Sequence, residues 1–198
     1  FTLNSAVDKL LKREFDSYRA RRLPHPLMKA HQIEAVPFAH EKLEEWRDAM
    51  RAGITYFHPP TQLMVTGGID DLWINADGEL HIVDYKATAK NGTVNLDADW
   101  QIAYKRQAEC YQWLFRKNNF QVSPIAYFVY CNGDADKATF SGRLEFEIRI
   151  LPYKGKDDWM EPTLMAIKEC LLGDKVPESG SECDFCKYRE AVSQAGRG

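Results

Sequence analysis

Asp70, Asp84 and Lys86 are the residues of this sequence whose types and spacing could do chemistry. Along residues 80–86 a strand would alternate its side chains between two faces, so Asp84 and Lys86 would point the same way. A three-residue loop that ends at Gly78, with this glycine in the left-handed conformation, would pair residues whose numbers sum to 154. Asp70 is therefore expected opposite Asp84, on the same face as the lysine.

Two opposed carboxylates and a lysine could bind a divalent cation and hydrolyse a phosphate ester. Residues opposite each other on one sheet face have Cβ atoms about 4.5 to 5.5 Å apart, so both carboxylates can hold one hard cation. Mg²⁺ would bind a phosphate oxygen and acidify a water, while Lys86 could orient that water or stabilise charge on the phosphate. The alternative is an edge hairpin with solvated charges. Asp84, however, follows the apolar pair Ile82-Val83, and a buried carboxylate needs a partner or a metal.

The elements that position these residues follow from the periodicity of the apolar side chains. Apolar residues recur at helical spacing from Leu3 to Tyr18, and strands that follow Gly53 are predicted to form a β-meander. The order of helix, strands, helix and strand indicates an α/β fold. The predicted elements are helices at 3–18, 40–50, 100–117 and 157–172, strands at 54–58, 63–66, 69–75, 80–86, 125–131 and 144–151, and an irregular segment at 23–37.

Three ordered segments resemble the motifs of the RecB-like and AddB-like branch of the PD-(D/E)XK nuclease superfamily. They are GGIDD at 67–71, DGELHIVDYK at 77–86 and QAECY at 107–111, the last similar to the Q-x-x-x-Y motif. The resemblance implies a restriction-endonuclease-like core, with a central mixed β-sheet and an antiparallel meander flanked by helices. It also implies a Mg²⁺- or Mn²⁺-dependent DNA nuclease that acts in repair, recombination or defence.

Gln107 and Tyr111 of the third motif fall on the predicted helix at 100–117. Gln107 is the polar member of a stripe expected to face inward, so it needs a hydrogen-bonding partner. The resemblance implies that both residues border the active site and position DNA or Lys86, and the alternative is a glutamine satisfied by the backbone. The inward stripe is Trp100, Ala103, Tyr104, Gln107, Tyr111 and Leu114, whereas Lys105, Arg106, Glu109, Gln112 and Arg116 are expected largely elsewhere.

The first helix is expected to supply a further metal ligand. RecB-like nucleases often carry a histidine there, after a small residue and a hydrophobe, and Asp8 stands at the comparable place. By helical geometry Glu14 lies in the middle of the apolar stripe and is an equal candidate. Either acid could instead be a solvated helix charge. The resemblance also implies the backbone carbonyl of Tyr85 as a ligand.

Cys183 and Cys186 have the C-x-x-C spacing of a metal knuckle, but a closed zinc or iron-sulfur site usually needs four ligands. Some RecB-like nucleases hold a 4Fe-4S cluster with one N-terminal and three C-terminal cysteines. This sequence departs from that pattern, because it offers only a C-terminal pair and no cysteine before Cys110. A cluster or zinc site is therefore either absent or completed by ligands upstream of Phe1.

Contacts with DNA would depend on local basic residues, because the net charge of the chain is −3. Lys90, Lys105 and Arg106 lie near the motifs in sequence and could contact phosphates. They could equally be ordinary solvated charges. The strandedness of the DNA and any protein partners stay open.

Composition favours one soluble domain over residues 1–198, with a tail at 173–198 that carries the cysteine pair. Apolar residues make up 44% of the chain, and no apolar run is long enough to span a membrane. Five irregularly spaced cysteines suit a reducing cytoplasm better than a disulfide scaffold. Two other functions are a catalytically inactive accessory module of a larger complex and a structural domain that needs a metal cluster. The retained set of Asp70, Asp84 and Lys86 argues against the inactive module.

Overall fold

Residues 2–196 are described by a computed structural model, in which α-helices accompany two β-sheets. The long helix α1 confirms the first predicted helix, since its apolar residues recur at helical spacing. The elements in chain order are α1 (Thr2–Arg19), α2 (Pro26–Ala30), β1 (Ala35–Pro37), α3 (Leu43–Arg47), β2 (Ile54–His58), β3 (Leu63–Gly67), β4 (Asp71–Asn75), β5 (Leu80–Thr88), a 3-10 turn (Asp99–Gln101), α4 (Ile102–Lys117), β6 (Ile125–Gly133), β7 (Phe146–Lys154), α5 (Met160–Leu172) and α6 (Asp184–Ala195).

The larger sheet has five strands in the order β1-β4-β5-β6-β7. β5 and β6 are parallel, whereas the other neighbouring pairs are antiparallel. The long connection that a parallel pair requires is supplied by the segment containing α4. This mixed sheet with flanking helices confirms the predicted α/β, restriction-endonuclease-like fold.

Strand β5 lies at the centre of this sheet, and its two faces meet different helices. On one face Tyr85 packs against Phe15 of α1 in the main hydrophobic core. On the other face the Lys86 ammonium reaches Gln107 of α4. Because side chains alternate along a strand, Asp84 shares the α4 face with the lysine, as predicted.

β4 and β5 form the predicted hairpin in the predicted register. Asp71 pairs with Val83, and each pair of the ladder sums to 154. Gly78 has a φ of +80°, the left-handed conformation that its place in the loop requires. β4 begins at Asp71, so Asp70 lies one residue beyond the last pair instead of opposite Asp84 within the ladder.

The predicted four-strand meander is wrong, because β2 and β3 form a separate two-stranded sheet. The chain turns away from β3 at Gly67 and Gly68 before it enters β4. A Cβ atom at Gly67 would lie 2.6 Å from Cε1 of Tyr111, and one at Gly68 would lie 2.2 Å from Cβ of Ala49. The glycines therefore allow a close approach to α4 and to the segment after α3 that larger residues would prevent.

Two further expectations about the first part of the chain are corrected. The segment at 23–37, predicted to be irregular, contains α2 and β1. Helix α2 forms because Pro26 suits its first turn and Nδ1 of His25 accepts a hydrogen bond from Leu27 N at 3.1 Å. The helix predicted at 40–50 is only the five-residue α3, whose preceding residue Lys42 gives no side-chain cap.

The chain divides into two compact units, one ending at Met160 and the other beginning at Glu161. The first contains both sheets, whereas the second contains most of α5 and all of α6. Each residue of α6 is at least partly exposed. None of the helices within residues 2–196 combines the length and the apolar character needed to cross a membrane.

Candidate active site

Asp84 and Lys86 form a close ion pair within a cluster of charged side chains. Nζ of Lys86 lies 2.5 Å from Oδ2 of Asp84, and Asp84 is only 5% exposed. Burial raises the pKa of the Asp84 carboxyl to about 6, although the nearby lysine opposes the shift. Oδ2 of Asp84 is buried and has no well-oriented hydrogen-bond donor among the residues that the structure describes. Its cationic partner in this structure is the Lys86 ammonium, so a divalent cation bound at this oxygen would share it with the lysine.

Asp70 lies at the entrance to β4, where its carboxylate and carbonyl are both held. Its Oδ2 accepts a hydrogen bond from the backbone N–H of Tyr85 at 2.8 Å, and its carbonyl accepts one from Nε of Arg47 at 3.0 Å. Its Oδ1 lies 3.3 Å from Nζ of Lys12. The Asp70 carboxylate is close enough to Asp84 that its charge contributes to the raised pKa of Asp84.

Lys12, which was not among the predicted site residues, links the first helix to this cluster. Its Nζ lies 2.9 Å from Oδ1 of Asp8 and 3.3 Å from Oδ1 of Asp70. The spacing of four residues from Asp8 is the signal that could have found it, since residues i and i+4 share a helix face. Asp8, Asp70 and Lys86 line one cavity of about 330 Å³.

The third motif contributes side chains to the same place. Oε1 of Gln107 accepts a hydrogen bond from the Lys86 ammonium at 3.5 Å, and Nε2 of Gln107 donates to the Tyr111 hydroxyl at 2.8 Å. Burial raises the pKa of Tyr111 to about 12, so its hydroxyl stays protonated at neutral pH. The ring of Tyr104 lies 4.3 Å from Nζ of Lys86. Gln107 therefore has its partner in a side chain of the cluster.

The predicted orientation of α4 was only partly right. Gln107 and Trp100 are exposed, whereas Glu109 and Gln112 are buried, contrary to their expected places. Glu109 is buried because its carboxylate accepts hydrogen bonds from the Tyr153 hydroxyl at 2.6 Å and from the Trp159 indole at 2.7 Å. A polar side chain thus joins the core when the surrounding strands supply donors.

A buried network of charged side chains fixes the position of Asp70. Asp71 is fully buried, and its carboxylate accepts hydrogen bonds from both Arg19 and Arg47 and from the Tyr85 hydroxyl, the last at 2.7 Å. Arg47 also donates to the Asp70 carbonyl, and its acidic neighbours raise its pKa despite its burial. Tyr85 thereby touches both aspartates, through its N–H and its hydroxyl.

Several predicted candidates lie elsewhere. Glu14 does not lie in the middle of the buried stripe, since its side chain is 57% exposed and its Oε1 lies 2.9 Å from Nε2 of His25. Lys105 and Arg106 place their charges over the rings of Tyr153 and Trp159. Lys90 exchanges backbone hydrogen bonds with the Asn132 side chain beside a different cavity.

Cys183 and Cys186 lie in the second unit, at the start of α6. Hydrogen bonds to the Cys183 sulfur, first from the backbone of Cys186, lower the pKa of this thiol. Among residues 2–196, no three Asp, Glu, His or Cys side chains are arranged closely enough to hold a metal ion as they stand. At the carboxylate cluster, the ammonium groups of Lys12 and Lys86 lie against the acids instead.

The five-stranded mixed sheet with flanking helices is a restriction-endonuclease-like fold, and Asp84 and Lys86 lie on its central strand. The family model of the PD-(D/E)XK nuclease superfamily matches residues 2–191, so the chain belongs to this superfamily. A comparison with curated proteins gives no significant match.

Replacing Lys12 by methionine is expected to strengthen Mn²⁺ binding about tenfold, which corresponds to roughly 1.4 kcal/mol. The substitution removes the ammonium that competes for Asp8 and Asp70 and leaves an apolar side chain of similar length. Calorimetric titration of the protein with Mn²⁺, without DNA, measures the effect. Lys9→Met is the control, since Lys9 is exposed on the same helix. Unchanged or weaker binding by Lys12→Met would contradict the prediction.

Proposed function

We propose that this chain is a Mg²⁺- or Mn²⁺-dependent DNA nuclease of the RecB-like branch, and that it acts in repair, recombination or defence. The observation that carries the proposal is the convergence of Asp70, Asp84 and Lys86, with Gln107 bound to the lysine. Family membership supports the general activity, and the three ordered motifs support the branch.

Asp70 and Asp84 would hold the divalent ion, with Asp8 and the Tyr85 carbonyl as further ligands. This donor set suits a hard cation, because Mg²⁺ is commonly held by one or two carboxylates and completes its shell with water and phosphate oxygens. When bound, the ion would neutralise charge on the scissile phosphate and make water more acidic. The burial of Asp84 supports this assignment, because a buried carboxylate needs a cationic partner or a metal.

Lys86 would act on the water and the phosphate. Its ammonium is held between Asp84 and the Gln107 amide, so it can donate hydrogen bonds from a fixed position. Hydroxide from the water would bond to phosphorus as the phosphodiester P–O bond breaks, and the departing oxygen would take a proton. Tyr111 would keep the Gln107 amide oriented through its hydroxyl.

The wider setting of the protein is part of the same proposal. The family match runs across both compact units, which supports one functional domain over residues 1–198. All five cysteines are free, which supports a reducing compartment such as the cytoplasm. Lys90, Lys105 and Arg106 are proposed to contact DNA outside the cleavage centre, and Cys183 with Cys186 could complete a zinc or 4Fe-4S site only with ligands from outside this sequence.

The test is cleavage of labelled single- and double-stranded DNA, both linear and circular, with Mg²⁺ or Mn²⁺ and with EDTA. We expect cutting that needs the divalent ion, and the comparison of linear with circular substrates gives the mode of attack. A well-folded protein that binds Mn²⁺ but leaves every substrate intact would contradict the proposal and favour an accessory DNA-binding module.

A further inference from the structure

Trp100 is an exposed aromatic side chain in a hydrogen-bonded turn. Its side chain is 62% exposed, although large aromatic residues are usually well buried. It lies in the 3-10 turn that precedes α4, next to the buried Gln101. The Gln101 amide fixes this turn by donating to the Asn95 carbonyl at 2.7 Å and to the Tyr130 hydroxyl at 3.2 Å. The protein therefore holds an indole in solvent instead of folding it away.

The indole is adjacent to the cleavage centre through Tyr104. The ring centroids of Trp100 and Tyr104 are 5.3 Å apart in an edge-to-face arrangement, and the Tyr104 ring lies 4.3 Å from Nζ of Lys86. Tyr104 also lines the cavity that contains Asp70 and Lys86. The indole is thus within roughly 10 Å of the lysine ammonium, a distance that a nucleotide beside the scissile phosphate can cover.

We propose that Trp100 stacks on an unpaired nucleobase next to the scissile phosphate, so that the substrate strand is single-stranded at the cleavage centre. This inference rests on the proposed nuclease function for the location of the phosphate. A base inside a duplex has both faces covered by its neighbours, so an indole can stack only on a base that has left the helix or was never paired. Tyr104 is not stacked in parallel on the indole, because the two rings are nearly perpendicular, at 85°. The exposure of Trp100 leaves indole surface open to a base.

Charge near the indole favours the same occupant. Lys86 presents an ammonium beside the Tyr104 ring, and a nucleotide offers both a phosphate for the cation and a base for the aromatic ring. An apolar peptide would satisfy the indole but would leave the polar cavity of Asp70 and Lys86 without a matching group. A single strand matches both surfaces at once.

The experiment is equilibrium binding of a fluorescent oligothymidylate and of a blunt DNA duplex to the protein in EDTA, where metal-dependent cutting is prevented. Trp100→Ala is expected to weaken oligothymidylate binding about 5- to 150-fold, which corresponds to the roughly 1–3 kcal/mol that stacking on one base contributes, and to leave duplex binding unchanged. Trp100→Phe should retain most of the affinity. Ile102→Ala is the matched control, since Ile102 is an exposed apolar residue two positions after Trp100, at the start of α4, and it should behave as wild type.

Tryptophan emission gives an independent readout. Oligothymidylate should quench part of the wild-type emission, and this part should be missing in Trp100→Phe. Equal affinity of wild type and Trp100→Ala for oligothymidylate would overturn the inference, as would an equal loss for the duplex. The proposed nuclease function fails in a different assay, by the absence of metal-dependent cutting, so the two failures are distinguishable.

Discussion

Asp84→Asn is expected to reduce metal-dependent DNA cleavage by about 10³-fold or more, because it removes a charged ligand of the proposed metal site while preserving its shape. Initial cleavage rates at saturating Mn²⁺ measure the loss. Lys86→Met should lose activity to a similar extent, because the ammonium is expected to stabilise charge on the phosphate or to orient the attacking water. Asp77→Asn changes an exposed turn residue and should retain full activity.

Measuring the stability of Asp84→Asn shows whether the variant has lost catalysis or has failed to fold. Burial raises the pKa of Asp84 in the folded protein to about 6, above its ordinary value of 3.8. Folding therefore favours the protonated carboxylic acid. This preference stabilises the folded protein below about pH 4, and the stabilisation is lost as the pH rises through 6. Urea unfolding of the metal-free protein should show this decline in wild type and a smaller decline in Asp84→Asn. If a stably folded Asp84→Asn protein still cleaved DNA, Asp84 would not be a residue of the active site.

Asp71→Ala is expected to destabilise the protein by about 3–5 kcal/mol, the cost of leaving buried charges without their partner. The substitution removes an acceptor shared by Arg19 and Arg47, whose side chains are 8% and 6% exposed. A loss of this size is a large part of the total stability of an ordinary domain. The midpoint of urea unfolding, monitored by circular dichroism, measures it.

Asp71→Asn and Asp48→Ala are the controls for Asp71→Ala. Asparagine keeps the shape of the side chain and can still accept hydrogen bonds. Asp71→Asn should therefore lose less stability than Asp71→Ala. Asp48 lies outside the network, near the end of α3, and its replacement should cost less than about 1 kcal/mol. If Asp71→Ala unfolded at the wild-type urea concentration, the network would have no role in stability.

The hairpin that carries Asp84 could be predicted from sequence because strand alternation and loop geometry act locally. The left-handed Gly78 fixes the loop, and the loop fixes the register of the strands on both sides. Once the register is fixed, the period of two decides that Asp84 and Lys86 share a face. Helical periodicity predicted that Gln107 and Tyr111 share one side of α4, whereas their place near the cluster was implied by the family resemblance.

Contacts between distant segments could not be predicted in this way. Gly67 and Gly68 lie between two strands of the predicted meander, but their lack of side chains serves close packing against Tyr111 and Ala49. Glu14 was a candidate ligand by helical position, yet His25 from a later segment provides its partner. These outcomes depend on where other elements pack, which the local pattern of a helix or strand does not contain.

The paired ammonium groups of Lys12 and Lys86 affect the conditions under which this protein can fold. Asp8, Asp70 and Asp84 would repel one another if they were left alone, but the two lysines already balance most of their charge. Folding is therefore expected to proceed on a newly synthesised chain whatever the local concentration of free divalent ions. The protein could then be stored in an idle form, and the arrival of the ion would start its chemistry without having to build the site.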